Sequence, residues 1–498
     1  MVINMKAYVK KTGFIVLANA ALSSYAYADL ADVAKQLSPD LKLERATALA
    51  VLQTYNDLLQ IGCANYASTA NNEGNSESCT GATFTLFQNV RQLAQTANEI
   101  SGDDTSYQYS MGLNLKEFGT ALRATAAEEY VAQGSLSSDF VKGQLSGLSA
   151  RLTSLRLGAT GFSATNNTTA NPYAAYDSSR LSGGGASADT ENFSRLGGFI
   201  NVAYGDGKKT ATNLEDAFSV DGGGINAGLD YRLDPNWVVG TMIGFSNQSL
   251  DFTKTQNVPA GKVDTDGYNV MPFILFQGEQ FYSSVSLGRQ FVDFDSERVV
   301  HYPSPDPDNP NPDTKTKSNT NALIFTLAAE FGYSFTINQF AFEPFASVHS
   351  SSTRIHSFTE KDVSNTGFDL AVAGQEFKSR LYTVGANFRY TFTPSYGVIT
   401  PFASIEQVHE ANTDQHIVAA HYVSAVDATN VFQFAGDTPD DSYRVITLGI
   451  SSVLLGAHQK TGSGVVAGGL QGFVHYKIVK ELQNYKMNTV ELGVRYEF

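Results

Sequence analysis

From about residue 194 to its end, the chain alternates. In the last segment Val490, Leu492, Val494, Tyr496 and Phe498 share one parity, and Glu491, Gly493, Arg495 and Glu497 share the other. Successive side chains of a strand point to opposite faces, so this segment as a strand is apolar on one side and polar on the other. Leu323, Phe325, Leu327, Phe331, Tyr333 and Phe335 stand against Thr326, Glu330, Gly332 and Ser334 in the same way. So do Tyr382, Val384, Phe388, Tyr390 and Phe392 against Thr383, Asn387 and Arg389. Bulky apolar groups on one face and charges on the other suit a membrane barrel, whose outside meets lipid and whose inside is wet. A soluble sandwich shows the same alternation.

Strand number and loop length separate the two. Strands are expected near 196–205, 217–232, 237–252, 262–277, 280–298, 319–337, 340–358, 376–393, 397–411, 441–456, 463–477 and 483–498. That is an even set of twelve, and many exceed the roughly 9–11 residues a tilted strand needs to cross a bilayer. The connections alternate in length. Leu233 to Asn236, Gly278-Glu279, Asn338-Gln339 and Pro394 to Tyr396 are tight, and 299–318, 359–375 and 412–440 are long. Short turns at one end and long loops at the other mark an outer-membrane barrel. If the chain enters and leaves on the periplasmic side, all the tight turns should fall there. An internal echo, Phe342 to Val348 against Ile399 to Ile405, indicates related strands.

The formal net charge of −15 argues against a nucleic-acid partner, which requires a basic surface. Residues 1–28 carry Lys6, Lys10, Lys11 and no acid, so their removal takes −15 to −18. These residues read as a signal peptide: a basic start, an apolar run from Gly13 to Leu22, and Ala26-Tyr27-Ala28 before cleavage between Ala28 and Asp29. The apolar run is too short to span a bilayer as a helix.

Residues 30 to about 160 read as helical. Ala48, Leu52, Tyr55 and Leu59 recur at helical spacing, as do Leu86, Val90, Leu93, Ala97 and Ile100. Leu115, Phe118 and Leu122 follow, then Leu145, Leu148, Leu152 and Leu155. Ser38-Pro39 and Ser137 serve as expected starts, and Gly62, Gly102 and Gly158 as stops. Three or four such helices can bury a small core. Cys63 and Cys79 are the two cysteines, and in an exported chain they read as one local disulfide. A metal site would need further ligands, and residues 29–300 contain no histidine. No metal or cofactor is expected. Residues 163–193, rich in Asn, Thr, Ser, Ala and Gly, read as a linker.

Several stretches resemble the autotransporters, whose C-terminal translocator is a twelve-stranded barrel. Gly228 to Leu233, Val239-Gly240 and Gly244-Phe245-Ser246 look like its early strands, and Leu492 to Phe498 looks like its terminal strand. Ala127 to Gly134 and Arg151 to Phe162 resemble the segment before the barrel in one subgroup. The likeness covers roughly residues 125–498. It implies an all-β transmembrane barrel of twelve antiparallel strands, residues 194–498, in the outer membrane of a Gram-negative bacterium. A helical passenger-like domain, 29–135, and a lumen helix with linker, 136–193, would precede it. The implied partners are outer-membrane lipid, the general secretion machinery and the barrel assembly machinery, which would read Val490, Leu492, Val494, Tyr496 and Phe498. The barrel would be monomeric. The helix near 137–158 would occupy the lumen and offer Arg151 and Arg156 to inward acids such as Glu330 and Glu491. Alternatively, both arginines are solvated on a bundle surface.

Three functions compete. One is a translocator that anchors a short helical passenger at the cell surface. The second is a barrel enzyme, phospholipase-like, for which His349 with Ser350, Ser351 and Ser352 is the local candidate. The third is a pore plugged by its N-terminal helices. The reading favoured is the first, without a catalytic site, because a Ser-His-Asp triad needs a histidine and the passenger has none.

Overall fold

The computed structural model describes residues 30–63, 76–102, 108–127, 129–156, 163–164, 195–234, 236–253, 261–303, 312–394, 398–425, 432–455, 457–459, 466–467 and 470–497. The signal peptide, its cleavage site at Ala28 and Asp29, Gly158 and Phe498 lie outside the described residues.

Twelve antiparallel strands close on themselves. They are β1 Leu196–Lys209, β2 Phe218–Arg232, β3 Trp237–Phe252, β4 Lys262–Gln277, β5 Phe281–Val300, β6 Thr314–Tyr333, β7 Phe340–Ile355, β8 Gln375–Tyr390, β9 Val398–Glu410, β10 Ser442–Leu455, β11 Leu470–Lys480 and β12 Tyr485–Glu497. Each pairs with its chain neighbours, and β1 pairs with β12 to shut the ring. Closure removes the unpaired edges that a bilayer does not tolerate.

The alternation settles which face is which. Val490, Leu492, Val494 and Tyr496 are exposed, and Glu491 and Arg495 between them are buried. Exposed apolar side chains run all around the outside, among them Ile200, Ile243, Phe325, Val384 and Leu448. Inside, an aromatic ring on one strand lies over a glycine directly opposite it on the next. Phe199 covers Gly228, Phe273 covers Gly240, Tyr282 covers Gly332, Phe345 covers Gly385, Phe402 covers Gly449 and Phe473 covers Gly493. Each strand supplies one member. The rings fill the space a side chain would need and hold each pair in register. The echo of Phe345 and Phe402 is therefore the same joint used twice.

The expected tight connections after β2, β4 and β6 share one end of the barrel with Leu196 and Glu497, where the chain enters and leaves, and β8 ends and β9 begins at that end too; Ser395 and Tyr396 of the fourth expected turn lie outside the described residues. One tight turn departs from the expectation. Residues 481–484 join β11 to β12 at the opposite end, and Glu481 there takes a positive φ of 69°.

Five helices precede the barrel: α1 Leu30–Gln36, α2 Lys42–Gln60, α3 Gly81–Ser101, α4 Leu115–Thr125 and α5 Glu129–Arg156. Asn114 caps α4, accepting from Lys116 N and Glu117 N, and Glu117 returns a bond to the Asn114 amide. Gly62 and Gly102 both have positive φ and end α2 and α3 as expected. Ser137 does not start a helix. It lies inside α5, where its hydroxyl donates to the Gln133 carbonyl, and the helix begins eight residues earlier at Glu129. Cys63 and Cys79 are bonded, with Cα atoms 5.3 Å apart, and tie the end of α2 to the segment before α3.

Candidate functional site

Helix α5 runs the length of the lumen. Its start lies at the long-loop end, where Tyr130 donates to Glu360. Its last turns reach the tight-turn end, where Arg151 meets Asp230 of β2 and lies 4.8 Å over the Phe199 ring. Between these points Gln133 donates to Ser296 at 3.2 Å, Gln144 to Ser246 at 3.2 Å, and Asn201 to the Gly147 carbonyl at 3.1 Å. The close approach at Gly147 leaves no room for a side chain, because a Cβ there would fall on Asn226. On the wall, Gly267 makes room for the Phe140 ring.

The helix does not sit on the barrel axis. Leu145, Leu148, Leu152 and Leu155 are buried with Met242, Val263, Met271, Phe273 and Leu275 from β3 and β4. The sequence predicts a wet interior, and the structure departs from it. One wall is an apolar seat for the helix. Toward the opposite wall, β8 to β11, the helix presents the small residues Ser146, Ser149, Ala150 and Thr153, and Lys477 of β11 crosses the gap to donate to the Ser146 hydroxyl at 2.5 Å. A cleft remains there, lined also by Arg389, Glu406, His475 and Lys477.

The expected lumen contacts are rearranged. Arg151 is buried in the lumen but pairs with Asp230, which Arg495 also approaches at 3.7 Å, and not with Glu330 or Glu491. Glu330 accepts from Tyr282 at 2.8 Å. Glu491 is met by Ser146 of α5 at 3.4 Å and by His475 at 3.3 Å. Arg156 ends α5, and its side chain lies outside the described residues. The cause is phase: the apolar face of α5 fixes its rotation against β3 and β4, which turns Arg151 toward β2.

At the long-loop mouth the loops form a four-stranded sheet from Phe358–Thr359, Leu370–Val372, Ile417–Tyr422 and Phe432–Ala435. Helices α1 to α4 lie on it. One core joins Leu58, Phe87 and Phe118 of the helices to Tyr302, Phe368, Val418, Tyr422 and Phe434 of the loops. Arg123 of α4 pairs with Glu44 of α2 at 2.9 Å and with Asp216 of the β1–β2 loop at 2.6 Å. Asn89 of α3 donates to the Thr366 carbonyl at 2.8 Å.

Beneath this cap lies a buried polar knot. Arg298 at the end of β5 grips both oxygens of Glu360, at 2.9 and 2.7 Å, and donates to the Phe368 carbonyl at 2.7 Å. Glu360 also accepts from Tyr130, from Thr316 at 2.6 Å and from Leu370 N at 2.8 Å. The knot fastens α5, two strands and a loop together. Sequence reasoning missed it, because its members lie far apart along the chain. Glu129 sits beside it with one carboxylate oxygen lacking any hydrogen bond. Burial pushes its carboxyl up to about 8, against the pull of Arg298.

The enzyme candidate is split by strand alternation. His349 and Ser351 share the parity of the inward Thr353, and Ser350 and Ser352 share that of the outward Arg354. Among the described residues no group of three or more His, Cys, Asp or Glu could hold a metal.

A family model for the autotransporter beta-domain matches residues 198–459, just over half of the chain. YaiT of Escherichia coli (strain K12) is 27% identical over 223 residues, which are 43% of this chain and 21% of that protein. The chain thus spans about a fifth of the relative it matches. Among solved structures, the translocator domain of NalP from Neisseria meningitidis is 12% identical with a TM-score of 0.44, covering 62% of this chain and 90% of that one. The transport unit of AIDA-I from Escherichia coli is 13% identical with a TM-score of 0.40, covering 62% and 92%.

Proposed function

The chain belongs to the autotransporter family, and from that premise we propose that residues from about 29 to 127 are its own cargo, carried out and then kept as a lid on the barrel. The barrel is an outer-membrane translocator domain, in a Gram-negative outer membrane. One observation carries the proposal. Helix α5 crosses the lumen from the tight-turn end, and α1 to α4 lie beyond the other end, packed on the long loops. Tight turns of such barrels face the periplasm, so the cap faces outward.

The shared core supports retention over release: freeing the cap would expose Tyr302, Phe368, Tyr422 and Phe434 to water. Packed helices, each about 10 Å across, would not pass a lumen that one helix already occupies, so the cap crosses unfolded and folds outside. The short loop closed by Cys63 and Cys79 is compatible with that passage. The barrel works as a monomer, with the secretion and barrel assembly machineries as its partners and no catalytic step of its own. Protease added to intact cells tests the placement. Loss of an epitope inserted at Asn72, with the barrel left whole and no cap in the medium, is expected. An epitope cut only after the outer membrane is permeabilised would instead make the helices a periplasmic plug.

A further inference from the structure

Just above the apolar belt, the strand register lines up four outward cations. Lys208 of β1 stands opposite Lys486 of β12. Val479 pairs with Met487, which sets Lys480 of β11 opposite Lys486, and Lys480 stands opposite Arg444 of β10. All four share the parity of the lipid-facing residues on their strands, Tyr204, Val490, Tyr476 and Leu448, which are exposed. Neighbouring strands are about 4.8 Å apart, so these charges crowd one another. Like charges directly opposite destabilise a sheet. Arg444 has Glu481 at 3.0 Å, but Lys208, Lys480 and Lys486 have no ion pair among the described residues.

The same row continues around the barrel with the opposite logic. From Lys208 it passes through Ser219, then Asp251, Lys262, Glu297 and Lys317 on β3 to β6, alternating in sign. One half of the collar is neutralised from within, and the other half is not.

We infer that the uncompensated lysines of this half, Lys208, Lys486 and Lys480, bind the phosphates of lipid headgroups in the outer leaflet. The level fits. Each cation is two outward steps above the first exposed apolar side chain of its strand, with Asp206, Asn488, Ile478 and Ile446 in between, and a step is roughly 7 Å along the strand. Lysine stems can lie along the apolar belt with their ammonium groups at headgroup height. An ammonium is a point-charge phosphate binder that needs no fixed fork geometry, which suits a mobile lipid. The inference rests on the outward orientation proposed above only for naming the leaflet.

The test uses the full chain in neutral detergent, with bound lipid counted by native mass spectrometry. Phosphatidylglycerol should be retained over phosphatidylcholine, and less so at high salt. Each lysine near an anionic surface accounts for about five-fold in association, so Lys208→Gln/Lys480→Gln/Lys486→Gln should lose roughly a hundred-fold. The Lys→Arg triple should retain binding, and Lys262→Gln/Lys317→Gln in the alternating half should change it less than about two-fold. A heat-modifiable gel shift verifies that every variant is a closed barrel. Equal retention of both lipids, or equal loss from both halves, overturns the assignment. Displacement of the lipid by inorganic phosphate at low millimolar concentration would overturn the lipid and assign the row to free anions. Retained phosphatidylglycerol together with an inverted topology in cells would overturn the orientation and the leaflet, not the binding.

Discussion

At the residue scale, the side chains that hold the cap down are buried charges. Arg298 and Glu360 are both fully buried and are joined by two hydrogen bonds. Removing one partner strands the other. Arg298→Met should therefore cost about 3–5 kcal/mol in cap docking, read as protease sensitivity of the outer loops in a still-closed barrel. Glu129 gives the opposite sign. Its folded pKa, about 8, lies above the ordinary 4.5, so the folded state holds its proton where the unfolded chain has released it. Docking is then strongest below about pH 4.5 and weakens as pH rises toward 8. Glu129→Gln should flatten that slope and stabilise the cap at pH 8 by on the order of a few kcal/mol, measured as urea resistance against pH. Neither residue announces itself in the sequence, because their partners come from loops more than sixty residues away.

At the element scale, the strands obey the alternation of the sequence, and their exceptions follow from the lumen. Leu492→Lys places a charge in lipid and should reduce insertion by about 2–4 kcal/mol near the midplane. The alternation alone makes Lys at Gly493 mild, since it points inward. The structure reverses this, because a side chain there would strike the Phe473 ring and Asn201. Ser451→Lys is the milder inward change, facing the cleft beside α5. The ordering expected on a semi-native gel of outer-membrane fractions is Ser451→Lys near wild type, with Leu492→Lys and Gly493→Lys both depleted. Equal folding of all three would remove the ring-on-glycine joint as a determinant of assembly. Helix α5 was half legible: its four leucines marked a face, but its small polar residues hid its start and gave no sign of which wall it would meet.

At the scale of the whole molecule, cap, loops and lumen helix form one body with the barrel. Deleting residues 30–127 should leave a barrel that still assembles, with its outer loops newly open to protease, because Phe368, Tyr422 and Phe434 lose their cover. Replacing Cys63 and Cys79 by Ser should lower cap stability by about 3 kcal/mol and leave the barrel's gel shift unchanged, since the bridge closes a local loop. A cap that survives reduction unaltered would show that docking on the loops, and not the bridge, fixes its fold.

Twelve strands, their inward and outward phase, the tight turns at the chain's entry, the helical region and its disulfide are all written locally. A period of two, a period of 3.6 and a short cysteine spacing each act within a few residues, and lipid outside the barrel enforces the phase everywhere. The seat of α5, the exchange of Asp230 for Glu330 and Glu491 as the partner of Arg151, and the loop sheet under the cap were decided only when the ring closed. Closure fixes which strand lies across from which, and a helix confined in a lumen has to bury its apolar face against whichever wall is apolar. The row Lys208, Lys486, Lys480 and Arg444 shows the same division: the residues are spread over some 280 positions of sequence, and only the register sets their charges side by side.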